Sequence, residues 1–261
     1  MATAEVVYTL DNTWEKAHRR LTVLQSLGDR WTIPRLTALG VGPGWRCLEL
    51  GAGAGSIARW LCDWVGPTGR VTAVDLEPRF LEADPRPNME ILRHDIVADG
   101  IPGEGWDLIH TRALLMHLPN RDELICELVG RLRPGGAILL EEADGRPFEA
   151  ADSPAFRTVW QGCLSMAEKA GGDWSWGYLM PARLAAAGAV GVATAVDAEI
   201  FRGASLWAEL FSLSFEQVAP LLVADGLPAE VIDAAIADLA DPGRWFPSCA
   251  FVAAWGHRPS D

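Results

Sequence analysis

Apolar positions in this chain follow two periods, and the alternation between them outlines a fold. At 57–65, Ile57, Trp60, Leu61, Trp64 and Val65 recur at i, i+3, i+4, i+7 and i+8, the stripe of an amphipathic helix. The stretch before it, 45–50, is a short apolar run of strand length, and Gly51, Gly53 and Gly55 lie between the two. Similar short runs at 71–74, 89–92, 106–109 and 137–140 predict four more strands. Turn signals such as Gly66-Pro67-Thr68-Gly69 and Arg133-Pro134-Gly135-Gly136 separate them. Asn120 with Glu123 reads as a capping pair, opening a helix with Leu124, Ile125, Leu128, Val129 and Leu132 on one face. This β-α-β order with short turns predicts an α/β fold with a parallel sheet and right-handed crossovers.

The flanks read differently. Thr13 predicts the cap of a helix carrying Trp14, Leu21, Leu24 and Leu27, ended near Gly28, and Pro34 opens a second short helix ended at Gly40. Beyond the fifth strand, Ser153-Pro154 starts a helix through Trp160 and Leu164, and Pro181 starts another stopped at Gly188. A sixth strand is expected at 192–201, a helical stretch at 204–240 and a last strand at 246–255.

Composition narrows the classes of function. With 261 residues, 49% of them hydrophobic and 22% charged, the chain has ordinary globular proportions. A net charge of −13 argues against nucleic acid and against an anionic membrane surface as partners. The five cysteines are scattered, with neither a CxxC nor a Cys/His cluster, so no zinc site or other metal is expected and free thiols in a reducing cytoplasm are. The N-terminus lacks the basic and apolar regions of a signal peptide, and no apolar run reaches about 18 residues, so no membrane span is expected.

The candidate chemistry gathers at strand ends, where open parallel sheets bind their ligands. Glycines 51, 53 and 55 let the backbone turn sharply and approach a ligand at the N-terminus of the next helix. The dinucleotide fingerprint fails when counted from Gly51, because its last position is Ser56, and passes only loosely from Gly53, ending on Ala58. Asp75 closes the second strand, where a carboxylate can accept bonds from ribose hydroxyls; Asp95, after the third, can accept from an adenine amino group with Ile96 against the ring, or serve as a turn cap. Glu49, Thr111, Arg112 and Glu142 fall at strand ends too.

Taken together, the segments ELGAGAG, VTAVDLEP, RHDI, WDLIHTRALLMHLP and LRPGGAILLEEAD resemble, in order and spacing, the class I S-adenosylmethionine (SAM) dependent methyltransferases. The resemblance is firm over 40–145 and is nearest to the small-molecule branch typical of actinobacterial secondary metabolism, such as antibiotic biosynthesis. It implies a Rossmann-like, seven-stranded, mostly parallel sheet with an antiparallel last strand and a helical cap over the substrate pocket. The expected division is an N-terminal helical lid at 1–40, a SAM-binding core at 41–200, a helical substrate cap at 201–245, and the last strand and tail at 246–261. It also implies roles. Gly51, Gly53 and Gly55 would approach the methionine part of SAM, with Glu49 ordering the loop; Asp75 would hold the ribose and Leu76 pack on the adenine, whose edge and face Asp95 and Ile96 would hold. Thr111 would contact SAM through its backbone, Arg112 would stand at the pocket mouth, and Tyr8 and Arg20 would close over the SAM carboxylate.

His117 is the first candidate for a general base, on the same resemblance, with Glu142 second and Tyr178 orienting a polar substrate group; His110 reads as structural. Trp160, Trp174, Trp176, Trp207, Phe211, Trp245 and Phe246 favour a flat aromatic acceptor, an indole among them, although each ring also suits the core of the cap. The expected function is methyl transfer from SAM to a small, aromatic natural product by a monomer or homodimer. The alternatives are a non-methylating cyclase or pericyclase on the same fold and, from another class, an NAD-dependent oxidoreductase.

Overall fold

The computed structural model describes residue 10 and residues 12–260. Five parallel strands form the centre: β1 (Arg46–Leu50), β2 (Arg70–Asp75), β3 (Met89–Arg93), β4 (Trp106–Arg112) and β5 (Leu132–Asp144). Two more complete the sheet: β6 (Val190–Asp197) at one edge and β9 (Ala250–His257), which pairs antiparallel to both β5 and β6. The order β3-β2-β1-β4-β5-β9-β6 is a seven-stranded, mostly parallel sheet whose last strand is antiparallel. The central strands are largely apolar because both faces are covered, with buried polar exceptions such as Glu49, His110, Glu141 and Glu142 toward their C-terminal ends.

Around it lie α1 (Ala17–Ala38), α2 (Ser56–Val65), α3 (Arg79–Glu82), α4 (Arg121–Arg131), α5 (Pro154–Lys169) and α6 (Met180–Ala186). The amphipathic stripe of α2 buries Ile57, Leu61 and Val65 with Ala58 and Cys62. Trp60 and Trp64, on the expected stripe, instead stack on each other at its rim, with Trp64 exposed. The N-terminal segment departs from expectation as well: α1 is one helix of 22 residues, starting after Lys16 and running through both Gly28 and Pro34. Packing against the sheet and the cap overrides the local break signals.

The region after β6 differs in detail from the expected strand-helix-strand. The run expected as one sixth strand divides into β6 and β7 (Ile200–Arg202), and the last strand begins only at Ala250. Residues 245–247 form β8 (Trp245–Pro247), which pairs with β7 in a separate ribbon. Between these lie α7 (Leu206–Ala224) and α8 (Ala229–Ala240), which pack with α5 around an aromatic core of Phe148, Phe156, Trp160, Phe211, Phe215 and Phe246. By length and composition α7 is apolar enough to cross a membrane; eight of its residues are buried in this cap. Ser153 and Ser205 cap α5 and α7 with their hydroxyls, whereas Asn120 precedes α4 without a side-chain capping bond.

Candidate active site

A cavity of about 330 Å³ opens at the C-terminal ends of the parallel strands. Its two ends are built from different materials. At one end the chain leaves β1 through Gly51 and Gly53, both left-handed at φ +68° and +57°, and enters α2 through Gly55 at φ +84°. A side chain at 55 would meet Leu81 at 2.5 Å, so both backbone and space require glycine there. Asp75 closes this loop from β2: its carboxylate accepts the Gly53 N–H at 2.8 Å and the Glu77 N–H at 2.9 Å. Burial pushes its carboxyl up, opposed by those bonds. Leu76, Glu77, His94, Asp95 and Ile96 continue the wall, with Asp95 Oδ1 accepting from Val97 N–H at 2.9 Å. Four acidic side chains, Glu49, Asp75, Glu77 and Asp95, line this end.

The rest of the lining is helical and largely apolar, and part of it packs on the glycine turn, Leu114 against Gly51 and Leu21 against Gly53. Leu21, Leu24 and Gln25 come from α1, Leu114, His117 and Leu118 from the turn after β4, and Ala167, Ala170 and Gly172 from the end of α5. His117 is held neutral: burial, with the nearby Arg20 and Arg121 cations, lowers it to about 4. Its ring meets Trp174 edge-on at 5.6 Å. Gln25, with its amide oxygen turned toward the loop, accepts from Ala54 and Gly55 N–H, both at 3.0 Å, joining the helix to the glycine turn.

Several expected site residues have other surroundings. Tyr8 lies outside the described residues. Arg20 is buried but does not line the cavity; its guanidinium donates to Gln217 at 2.9 Å on α7. Thr111 is fully buried and also outside the lining, which passes to Arg112 and Ala113. Arg112 lines the wall, but its guanidinium turns under α1, donating to Thr32 at 2.9 Å and pairing with Asp29 at 2.9 Å. Glu142 is sealed from the cavity: its carboxylate accepts from Leu115 N–H at 2.8 Å and from Leu114 and Met116 N–H at 3.4 Å. It clamps the turn that carries His117. Tyr178 is half-exposed against Arg146, away from the cavity. None of the seven cap aromatics named from the sequence lines the cavity; Trp160, Trp207, Phe211 and Phe246 are cap core, Trp176 donates to Asp122, and Trp245 is exposed.

Residues that sequence reasoning missed include Asn12, Gln25, Glu77, His94, Leu114, Leu118, Ala167, Ala170 and Gly172. Leu21 and Leu24 had a usable signal in their helical stripe; an alanine on α5 has none.

Beneath α1 lies a buried lattice of charge. His110 on β4 is fully buried, its Nδ1 2.6 Å from Glu49 and its Nε2 3.3 Å from Glu141. Glu141 also accepts from Thr32 at 2.5 Å and from Arg35 at 2.7 Å, and Arg35 continues to Asp197. Burial works against a charge on His110, but Glu49 and Glu141 outweigh it and raise it to about 9. Burial likewise opposes the charge on Glu141, but His110, Arg112 and Thr32 hold its carboxyl down to about 2.

Residues 48–140 match a family model described as a methyltransferase domain. The chain is 31% identical over 120 residues to methyltransferase str2 of Strobilurus tenacellus, covering 45% of this chain and 42% of that one. It is 27% identical over 127 residues to the ubiquinone/menaquinone biosynthesis C-methyltransferase UbiE of Ectopseudomonas mendocina, covering 46% of this chain and 48% of that one. The match thus spans less than half the length of either relative. Among solved structures, phosphoethanolamine N-methyltransferase 2 of Haemonchus contortus, in complex with phosphomonomethylethanolamine and S-adenosylhomocysteine, superposes with a TM-score of 0.60 at 12% identity, over 99% of this chain and 61% of that one. The [4+2]-cyclase SpnF gives 0.54 at 18% identity, over 91% and 83%. At such identities the structural likeness speaks for the fold.

Proposed function

We propose that this chain, whose residues 48–140 match a methyltransferase domain, transfers the methyl group of SAM to a small, largely apolar natural-product acceptor held against His117. The observation that carries this reading is that one cavity is lined both by the acidic glycine cradle and by aliphatic side chains with His117 among them. The cradle fits SAM: Gly51 and Gly53 hold the left-handed backbone of the turn that lines the cavity, and its carboxylates suit a cationic ligand with ribose hydroxyls. When bound there, SAM supplies a methyl group on a sulfonium sulfur.

The protein's part is to bind, align and dry the site. Gly51 and Gly53 take the methionyl portion, Asp75 the ribose hydroxyls, Leu76 and Ile96 the faces of the adenine and Asp95 its edge. Leu21, Leu24, Leu114 and Leu118 exclude water and hold the acceptor in line, and such alignment is worth several kcal/mol. His117 is neutral near pH 7 and receives a proton at its imidazole nitrogen from the acceptor. Its low basicity suits an acceptor that needs little help in losing that proton.

Support for an aromatic acceptor comes from the relatives rather than from the cap. The tryptophans that suggested an indole belong to the cap core or its surface. The UbiE relative, by its name a C-methyltransferase of quinone biosynthesis, favours a phenol or quinol ring. The test is mass spectrometry of purified protein with SAM and a panel of phenols, quinols and indoles. A gain of one methyl with release of S-adenosylhomocysteine, lost in His117→Ala, is expected. A product of unchanged mass and rearranged skeleton would replace this reading with a cyclase, the activity named for the SpnF neighbour. Absence of SAM binding by folded protein would overturn it outright.

A further inference from the structure

We propose that His110 is a positioning residue of the cofactor cradle: by bridging Glu49 and Glu141 it keeps the Glu49 carboxylate turned so that its second oxygen faces the cavity, toward the cationic methionyl end of SAM. The inference rests on the SAM reading above and adds to it a residue that never touches the ligand.

The geometry carries it. His110 lies on β4 between two carboxylates: Glu49 is its register partner on β1, and Glu141, the register partner of Arg112, stands two residues further along β5 than the partner of His110, Leu139. Its two ring nitrogens face one carboxylate each. In the neutral ring only one nitrogen carries a hydrogen, so only the protonated ring can donate to both. The surrounding groups are Thr32 and Arg35 from α1, Arg112 on β4, and, one step out, Asp29 and Asp197. Counting them, four carboxylates (Glu49, Glu141, Asp29 and Asp197) face three cations (His110, Arg35 and Arg112). One negative charge is therefore left over.

Where that charge is offered follows from the bonding. Glu141 uses both oxygens, on Arg35 at one and on Thr32 and His110 at the other. Glu49 lines the cavity and uses only Oε2; its Oε1 has no hydrogen bond among the described residues. The lattice thus presents its uncompensated charge to the cavity, where SAM carries a sulfonium and an ammonium. Without the His110 cation, two buried carboxylates a ring's width apart would repel, and one of them would take up a proton.

The experiment is titration calorimetry of SAM against wild type and His110→Gln, near pH 7.5 and in buffers of different ionisation enthalpy. The difference in proton release between variant and wild type is the readout. In His110→Gln, SAM is expected to bind about tenfold more weakly and to release up to about one additional proton, because the carboxylate pair left without its cation must give up its shared proton to receive it. Adding Glu141→Gln to that variant removes the competing carboxylate and is expected to restore affinity and abolish the extra proton. A residue that only packs would lower Tm and leave the proton count unchanged. Isotope-edited NMR of wild type covers the case in which the variant does not fold: both His110 nitrogens are expected to carry hydrogen in the SAM complex. A neutral His110 in that complex, or a folded variant matching wild type in affinity and proton count, would overturn the proposal. A wild type that does not bind SAM would instead overturn the methyltransferase reading on which it stands.

Discussion

Each end of the cavity is held by a buried carboxylate clamping backbone N–H groups, and the two clamps are unlike. Asp75 grips Gly53 and Glu77 and itself lines the cavity. Glu142 grips three successive N–H groups, of Leu114, Leu115 and Met116, and is sealed beneath them. The first is scaffold and cavity wall at once; the second is scaffold alone. A carboxylate at a strand end is therefore not a site residue by position. What decides is whether the turn it clamps leaves it facing the cavity.

The largest effect that would break this contrast is expected at Asp75. Asp75→Ala leaves two N–H groups without their acceptor and removes the partner proposed for the ribose, together about 3 kcal/mol, or roughly 100-fold in SAM affinity. Calorimetry at constant pH measures it. An affinity within about threefold of wild type would mean that Asp75 is scaffold only, like Glu142.

Glu142 comes next, and its signature is pH. Burial outweighs the three N–H bonds and the Arg121 charge and pushes its carboxyl up from 4.5 to about 7. A carboxyl raised in the fold contributes stability that is fully present below 4.5 and is lost as pH rises through 7, at most about 3 kcal/mol. His117, lowered to about 4, acts with the opposite sign, its contribution being lost as pH falls from 6.5. Denaturant melts of Glu142→Gln against wild type isolate the first from the second. The variant is expected to lose the decline between pH 4.5 and 7. An unchanged pH slope would show that the clamp does not titrate.

This difference between ends also explains what could be read from the sequence. The glycine cradle is built from segments that each carry strand, turn and contact within a few residues, such as 47–57 and 71–77, so local pattern suffices for the parallel strands, the glycine turn and the place of Asp75 at a strand end. The acceptor end joins Leu21 on α1, His117 after β4 and Ala170 after α5, and no local pattern encodes that meeting. Arg20 differs from its expected place for the same reason: a charged side chain reads as a ligand contact until the helix that absorbs it is in place. Trp160 shows the limit for apolar residues too. Its ring packs between Phe148 at 4.6 Å and Trp174 at 5.0 Å, a placement that composition alone does not distinguish from a pocket wall.

A smaller effect separates the two ends directly. Ala170 lines the acceptor end from the C-terminus of α5, opposite the cofactor cradle. Ala170→Phe adds a ring to that end and is expected to lower kcat/KM for the acceptor about 30-fold, of order 2 kcal/mol, through lost room and alignment. SAM affinity is expected to stay within about twofold. Parallel loss of both would show that the cavity behaves as one site rather than two.

The smallest expected effect belongs to Trp245, the aromatic residue whose place differs most from its sequence reading. It is 56% exposed on the β7–β8 ribbon, with the Arg202 guanidinium 5.3 Å from its ring. Exposed cation–π contacts contribute about 0.5–1 kcal/mol, and surface substitutions away from packed features usually change stability by less than about 0.5 kcal/mol. Trp245→Ala is therefore expected to leave Tm, SAM affinity and acceptor kcat/KM close to wild type, measured by thermal melt, calorimetry and initial rates. A fall of about tenfold in kcat/KM with SAM affinity intact would bring Trp245 back to the acceptor. The ribbon would then have to close over the cavity when both ligands are bound, and the acceptor end would extend past α1 and α5 to a second wall.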